Sequence, residues 1–94
     1  MSADLPVRCT QTGVAPTLTL YSRNYCHLCD EMIAGLRELQ AANRFEFEII
    51  DVDRDPAFEQ LYGEKVPVLA YGGRELCHYF LDRAALTALL AEIR

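Results

Sequence analysis

The sequence predicts an α/β domain in which helices flank a four-stranded mixed sheet, in the order β-α-β-α-β-β-α. Three observations predict it. Residues 17–22, TLTLYS, alternate apolar and polar positions, as a half-buried strand does. An apolar stripe of helical period follows almost at once. Near the C-terminus, VPVLAY and RELCHYF flank Gly72-Gly73, a pair suited to a two-residue hairpin turn.

Each element has its own local cause. In the first strand, Leu18 and Leu20 share one face, and Thr17, Thr19 and Tyr21 share the other. The first helix is predicted from Cys29, Met32, Ile33, Leu36 and Leu39, with Asp30, Glu31, Arg37 and Glu38 on its opposite side. FEFEIIDV, residues 45–52, is aromatic and β-branched and reads as the second strand. In DPAFEQLYG, Asp55 caps a short helix, Pro56 takes its first position, and Gly63 is expected as a left-handed stop. Asp82 caps a last helix whose apolar stripe is Leu86, Leu89, Leu90 and Ile93. Residues 1–16 lack periodicity and read as a loose extension, leaving 17–94 as the folded domain. A β-α-β start calls for a right-handed crossover between parallel strands, and the hairpin adds an antiparallel pair.

Composition narrows the function classes. The chain has 94 residues, 51% of them hydrophobic, which suits one small domain with a core. Its net charge of −5 argues against nucleic acid, which demands a basic face. One lysine and scattered arginines also argue against an anionic membrane surface. No apolar run approaches the ~18–20 residues of a membrane span. The N-terminus lacks the basic start and apolar stretch of a signal peptide. The expected location is therefore the reducing cytoplasm, where four cysteines are not a structural disulfide framework.

The chemistry concentrates in YCHLCD, residues 25–30. Cys26 and Cys29 fall where the first strand hands over to the first helix. A helix N-terminus presents unpaired N–H groups and a partial positive charge, which favour a thiolate. A protonated His27 pushes the same way, whereas Asp30 and Glu31 oppose it. Cys29 shares the core-facing stripe with Met32, Ile33 and Leu36, while Cys26 precedes it at the helix mouth. An attacking thiolate must be accessible and a resolving thiol need only reach back. Cys26 is thus the expected nucleophile and Cys29 the resolving thiol; two buried, inert thiols are the competing reading. A CxxC beside a β-α-β pattern is a redox signature.

YSRNYCHLC, followed by Val66-Pro67 and a hairpin, resembles the glutaredoxins and the wider thioredoxin superfamily. The likeness is nearest to small bacterial glutaredoxin-like proteins and covers residues 17–93. It implies a thioredoxin-like fold and a cis Val66-Pro67 peptide beside the cysteines, with the preceding backbone free to pair with a substrate. Arg23 matches the basic residue that typical glutaredoxins carry three positions before the first cysteine. The substrate-contacting set expected from the likeness is Arg23, Tyr25, His27, Val66 and Pro67. Two departures bear on the substrate. Leu28 stands where an aromatic residue is common, and Tyr79 and Phe80 of HYFLD stand where a glycine pair admits glutathione. Both argue against a dedicated glutathione site.

The expectation is a monomeric thiol–disulfide oxidoreductase acting on protein or small-thiol disulfides. It has no resident cofactor or metal, and glutathione is at most a co-substrate. An external reductant, glutathione or a reductase, recycles it. The alternative is a non-catalytic thioredoxin-fold module that binds a metal or iron–sulfur cluster through its cysteines. Cys77 and His78 invite a zinc reading with the CxxC pair, but adjacent strand residues point to opposite faces and do not converge. Cys77 reads as a core or strand cysteine, and Cys9 as an exposed thiol of the extension. The acidic run DVDRD lacks the glycine and distant glutamate of a calcium loop. A strand end and a helix cap explain it.

Overall fold

The computed structural model describes residues 15–93. Its elements are β1 (Thr17–Ser22), α1 (His27–Gln40), β2 (Glu46–Asp51), a 3-10 turn (Val52–Arg54), α2 (Pro56–Tyr62), β3 (Val68–Tyr71), β4 (Arg74–His78) and α3 (Arg83–Glu92). The four strands form one mixed sheet in the order β2-β1-β3-β4. β1 and β2 run parallel, with Leu18 opposite Phe47 and Ser22 opposite Asp51. β3 runs antiparallel to both of its neighbours. The predicted α/β order and mixed sheet are therefore present. Residues 1–14, including Cys9, lie outside the described residues, as does Arg94.

Alternation along β1 divides the molecule into layers. Leu18 and Leu20 are wholly buried and cluster with Met32 and Leu36 of α1, Leu69 of β3, and Leu86, Leu89 and Leu90 of α3. Burying each such leucine is worth roughly 1.5–3 kcal/mol, which makes this the principal stabilising cluster. Tyr21 points to the opposite face. There its ring stacks on Tyr62 of α2 at 4.2 Å and meets Phe58 at 5.2 Å. α2 buries no residue completely, so these rings are how it holds the sheet.

The acidic run is used as structure. Asp51 Oδ1 accepts from the Asp53 N–H at 2.9 Å, and Asp55 Oδ1 accepts from the Ala57 N–H at 2.9 Å. Asp82 Oδ1 caps α3 by accepting from the Ala85 N–H at 3.0 Å. Each side-chain oxygen satisfies an N–H that a helix start leaves unpaired.

Four local expectations require correction. Gly63 is right-handed, at φ −55°, and is not a left-handed stop. Its lack of a side chain serves close approach instead, because a Cβ there would press on the Glu59 carbonyl and lie 2.6 Å from Glu59 Oε2. β4 ends at His78, short of the expected Phe80, because Tyr79 turns to φ +65°. The second strand is two residues shorter than FEFEIIDV: Phe45 and Val52 are buried but lie outside its ladder. Ile93 is the C-cap of α3 and is 37% exposed, so it leaves the apolar stripe. Gly72 and Gly73 do form the hairpin turn, at φ +59° and +82°, where a side chain is strained.

Candidate active site

The C-terminal end of β1 and the N-terminal end of β3 lie side by side, because Tyr21 pairs with Val68. The next residues outward are Ser22, which leads to the cysteine turn, and Pro67. Register alone thus brings the CxxC turn and the proline loop to one end of the two central strands. The Val66-Pro67 peptide is cis, as the sequence likeness implied. Pro67 is fully buried, and its carbonyl accepts from the Tyr79 N–H at 2.9 Å.

Cys26 is the N-cap of α1, with an extended backbone at φ −107°, ψ 111°. Its sulfur does what a serine or aspartate oxygen usually does. Sγ accepts from the backbone N–H of Cys29 at 3.1 Å. The Cys26 carbonyl meanwhile accepts the first helical bond, from Asp30 N–H at 3.1 Å. Cys26 is partly exposed and Cys29 is buried, at 2% exposure, and both are free thiols. Burial first, and then a hydrogen bond to the Cys26 sulfur, push the Cys29 thiol up to about 12. The two sulfurs therefore sit in unlike environments one helical turn apart.

The remaining expected residues divide by what they touch. Arg23 is engaged within the chain. Its Nε donates to Asp53 Oδ1 at 3.0 Å, Nη1 to the Gly63 carbonyl at 3.0 Å, and Nη2 to Glu59 Oε2 at 3.2 Å. That fork ties the cysteine turn to the 3-10 turn and the end of α2. His27 is the first residue of α1, and its Nε2 lies 2.8 Å from Glu31 Oε2, one turn on. Tyr25 is fully exposed and held at φ +60°. Val66 is partly buried at the head of the proline loop.

Two features escaped the sequence reading. Lys65 Nζ and His78 Nδ1 share the Glu75 carboxylate, at 2.8 and 2.6 Å. The hydrogen bond from Lys65, then that from His78, holds Glu75 below the usual carboxylate range. Regular alternation would put Glu75 and His78 on opposite faces. The ladder slips instead between Leu69 and Ala70, so that Leu69 faces Cys77 and Ala70 faces Glu75. The extra residue turns Glu75 and His78 to one side. Leu76 and Cys77 pack on the core, and burial raises the Cys77 thiol. Cys77 is thus a strand cysteine against the core, as expected.

The second feature is a cleft between α1 and the segment entering α3. Residues of α1 form one wall, and the segment that follows the left-handed turn at Tyr79 forms the other. Among the described residues, no group of three or more histidine, cysteine or acidic side chains is arranged to hold a metal ion. No helix among them is long and apolar enough to cross a membrane.

A central mixed sheet, a cysteine-capped α1 and a cis proline at the same end of the sheet define a thioredoxin-fold protein with a CxxC pair. Thioredoxin O1 from Arabidopsis thaliana shares that fold, with a TM-score of 0.56 at 20% identity over 87% of this chain and 80% of its own. Residues 17–91 match the glutaredoxin-like domain (DUF836), and the chain belongs to that family. Protein Ne2328 from Nitrosomonas europaea is similar at 48% identity, covering 81% of this chain and 93% of its own, with a TM-score of 0.73. Protein XcR50 from X. campestris is 41% identical over 80% of this chain and 96% of its own, with a TM-score of 0.66. An uncharacterized protein of Mycobacterium tuberculosis is 30% identical over 81 residues, covering 81% of this chain and 84% of its own.

Proposed function

We propose that this protein is a thiol–disulfide oxidoreductase in which Cys26 attacks and Cys29 resolves. One observation carries the reading: the Cys26 sulfur caps α1, facing the Cys29 N–H at 3.1 Å, with the Cys29 thiol buried behind it. A cap position aims N–H dipoles at whatever charge develops on that sulfur. Burial keeps the second thiol protonated until it is needed.

The chemistry balances with no resident cofactor. The Cys26 thiolate attacks one sulfur of a substrate disulfide, forming a mixed disulfide, and the expelled thiolate takes a proton from solvent. Cys29 then loses its proton and attacks the Cys26 sulfur. A Cys26–Cys29 disulfide forms, and the second substrate thiol leaves with a proton. The two electrons that reduce the substrate come from the dithiol. An external thiol donor, glutathione or a dithiol reductase, restores it. The substrates are protein or low-molecular-weight disulfides, and a reducing compartment such as the cytoplasm keeps the cycle running.

Two serine variants test this. Cys26→Ser is expected to lose disulfide reduction altogether. Cys29→Ser is expected to accumulate a substrate adduct on Cys26, visible as an intact-mass increase that a thiol reductant removes. Undiminished turnover by Cys26→Ser contradicts the reading.

A further inference from the structure

On the footing of that reading, we propose that the cleft between α1 and the α3 lead-in, which Leu28 of the CxxC turn helps to line, selects polypeptide disulfides flanked by apolar and basic residues, in preference to glutathione. Leu28, Glu31, Met32, Tyr79, Phe80 and Arg83 are among the residues that line the cleft, which has a volume of about 240 Å³. Leu28, which stands between the two cysteines in the sequence, brings the lining up to the reactive turn, although neither cysteine lines the cleft itself. Pockets that enclose whole small molecules run to roughly 300–1,000 Å³. This one suits one or two side chains of an extended segment. Phe80 is 67% exposed and Tyr79 41%, so large aromatic surface stands open to water at the rim.

Charge decides between the occupants. Glutathione carries two carboxylates and one ammonium, so it is a net anion whose binding free cations would favour. The basic side chains along the cysteine turn, the proline loop and the cleft already have acidic partners. Arg83 meets Glu38 at 3.0 Å, His27 meets Glu31 at 2.8 Å, Lys65 meets Glu75 at 2.8 Å, and Arg23 meets Asp53 and Glu59. Asp30, in the first turn of α1, and Glu64, before the proline loop, remain exposed. A partner with basic residues complements this rim, and a dicarboxylate does not.

The backbone fixes one wall of the cleft, at Tyr79. Among the described residues, Tyr25 and Tyr79 are the only non-glycine positions at positive φ, +60° and +65°. One adjoins Cys26 and the other adjoins Phe80. Such conformations persist where surroundings enforce them, and they cluster at ligand clamps. Tyr79 is fixed by its hydroxyl, which donates to the Glu64 carbonyl at 2.8 Å, and by its N–H on the Pro67 carbonyl. Phe80 is thereby presented outward from an anchored turn. Electrons and protons follow the cycle given above, with the peptide disulfide as oxidant and the Cys26–Cys29 dithiol as reductant.

The test uses pre-reduced protein in single turnover, so no recycling donor enters. Three substrates are compared: a peptide whose internal disulfide is flanked by leucine, phenylalanine and lysine, one flanked by serine and glutamate, and glutathione disulfide. Each rate constant is divided by that of dithiothreitol with the same substrate. The apolar–basic peptide is expected to lead both others by about tenfold at low salt, as one good apolar contact allows. Phe80→Ser, an exposed position outside the core, is expected to lower its rate about tenfold more than the rate with glutathione disulfide. Equal normalised rates, a lead for glutathione disulfide, or an equal loss on all three in Phe80→Ser overturns the substrate assignment and leaves the Cys26 chemistry standing. Failure of the unsubstituted protein to reduce any of the three overturns that chemistry, and the assignment with it.

Discussion

At the scale of single residues, the chemistry lies in the contrast between two thiols. The Cys26 sulfur is a capping acceptor at the surface, whereas Cys29 is held as a thiol by burial and by its neighbour. The contrast has a consequence for stability. The Cys29 thiol rises from its ordinary value of 9.0 to about 12 in the folded chain, so the folded state binds that proton more tightly than the unfolded state. Its contribution is fully present below about pH 9 and is lost as pH rises from about 9 toward 12. The urea-unfolding free energy of the reduced protein should therefore fall more steeply above pH 9 than that of Cys29→Ser. The difference in slope is at most about 1.4 kcal/mol per pH unit. Identical slopes would show that the thiol gains nothing from its burial. The unlike fates of the two sulfurs were legible beforehand, because Cys29 falls on the apolar stripe and Cys26 does not.

At the scale of elements, the joints are held by side chains that look like surface charges in the sequence. Arg23 grips the 3-10 turn and the end of α2, and its Nη1 reaches the Gly63 carbonyl. Gly63 lets the chain pass that close. A Cβ there would sit 2.6 Å from Glu59 Oε2 and 3.1 Å from Arg23 Nη2 while pressing on the Glu59 carbonyl. Gly63→Ala should cost about 1–3 kcal/mol, as overpacking does, and lower Tm by several degrees in a thermal melt. No loss of Tm would mean that α2 shifts freely, and that Arg23 is no anchor. Caps and turns could be read from local chemistry: Asp55-Pro56, Asp82 and Gly72-Gly73 act as their residue types suggest. Gly63 was misjudged because a glycine after a helix signals either a left-handed stop or a close approach. Only the tertiary position of Glu59 and Arg23 separates the two. The slip in the β3–β4 ladder was equally hidden. RELCH alternates no differently with or without it, and the shared carboxylate of Glu75 appears only once the strands are paired.

For the whole molecule, topology does what no single element does. Parallel β1 and β2 require α1 as a crossover, and the antiparallel β3 brings the proline loop back beside the cysteine turn. The element order was legible because each segment carries its own period and punctuation. The cleft was not, since it is made by α1 and the α3 lead-in meeting across a long stretch of sequence. The central claim is that Cys26 and Cys29 form one reversible two-electron couple. A redox titration followed by site-resolved mass spectrometry tests it most directly. The account predicts a single two-electron transition, between roughly −200 and −270 mV, in which an intramolecular Cys26–Cys29 disulfide forms and is lost reversibly. Persistence of both free thiols across that range, or oxidation only to links between molecules, would contradict it.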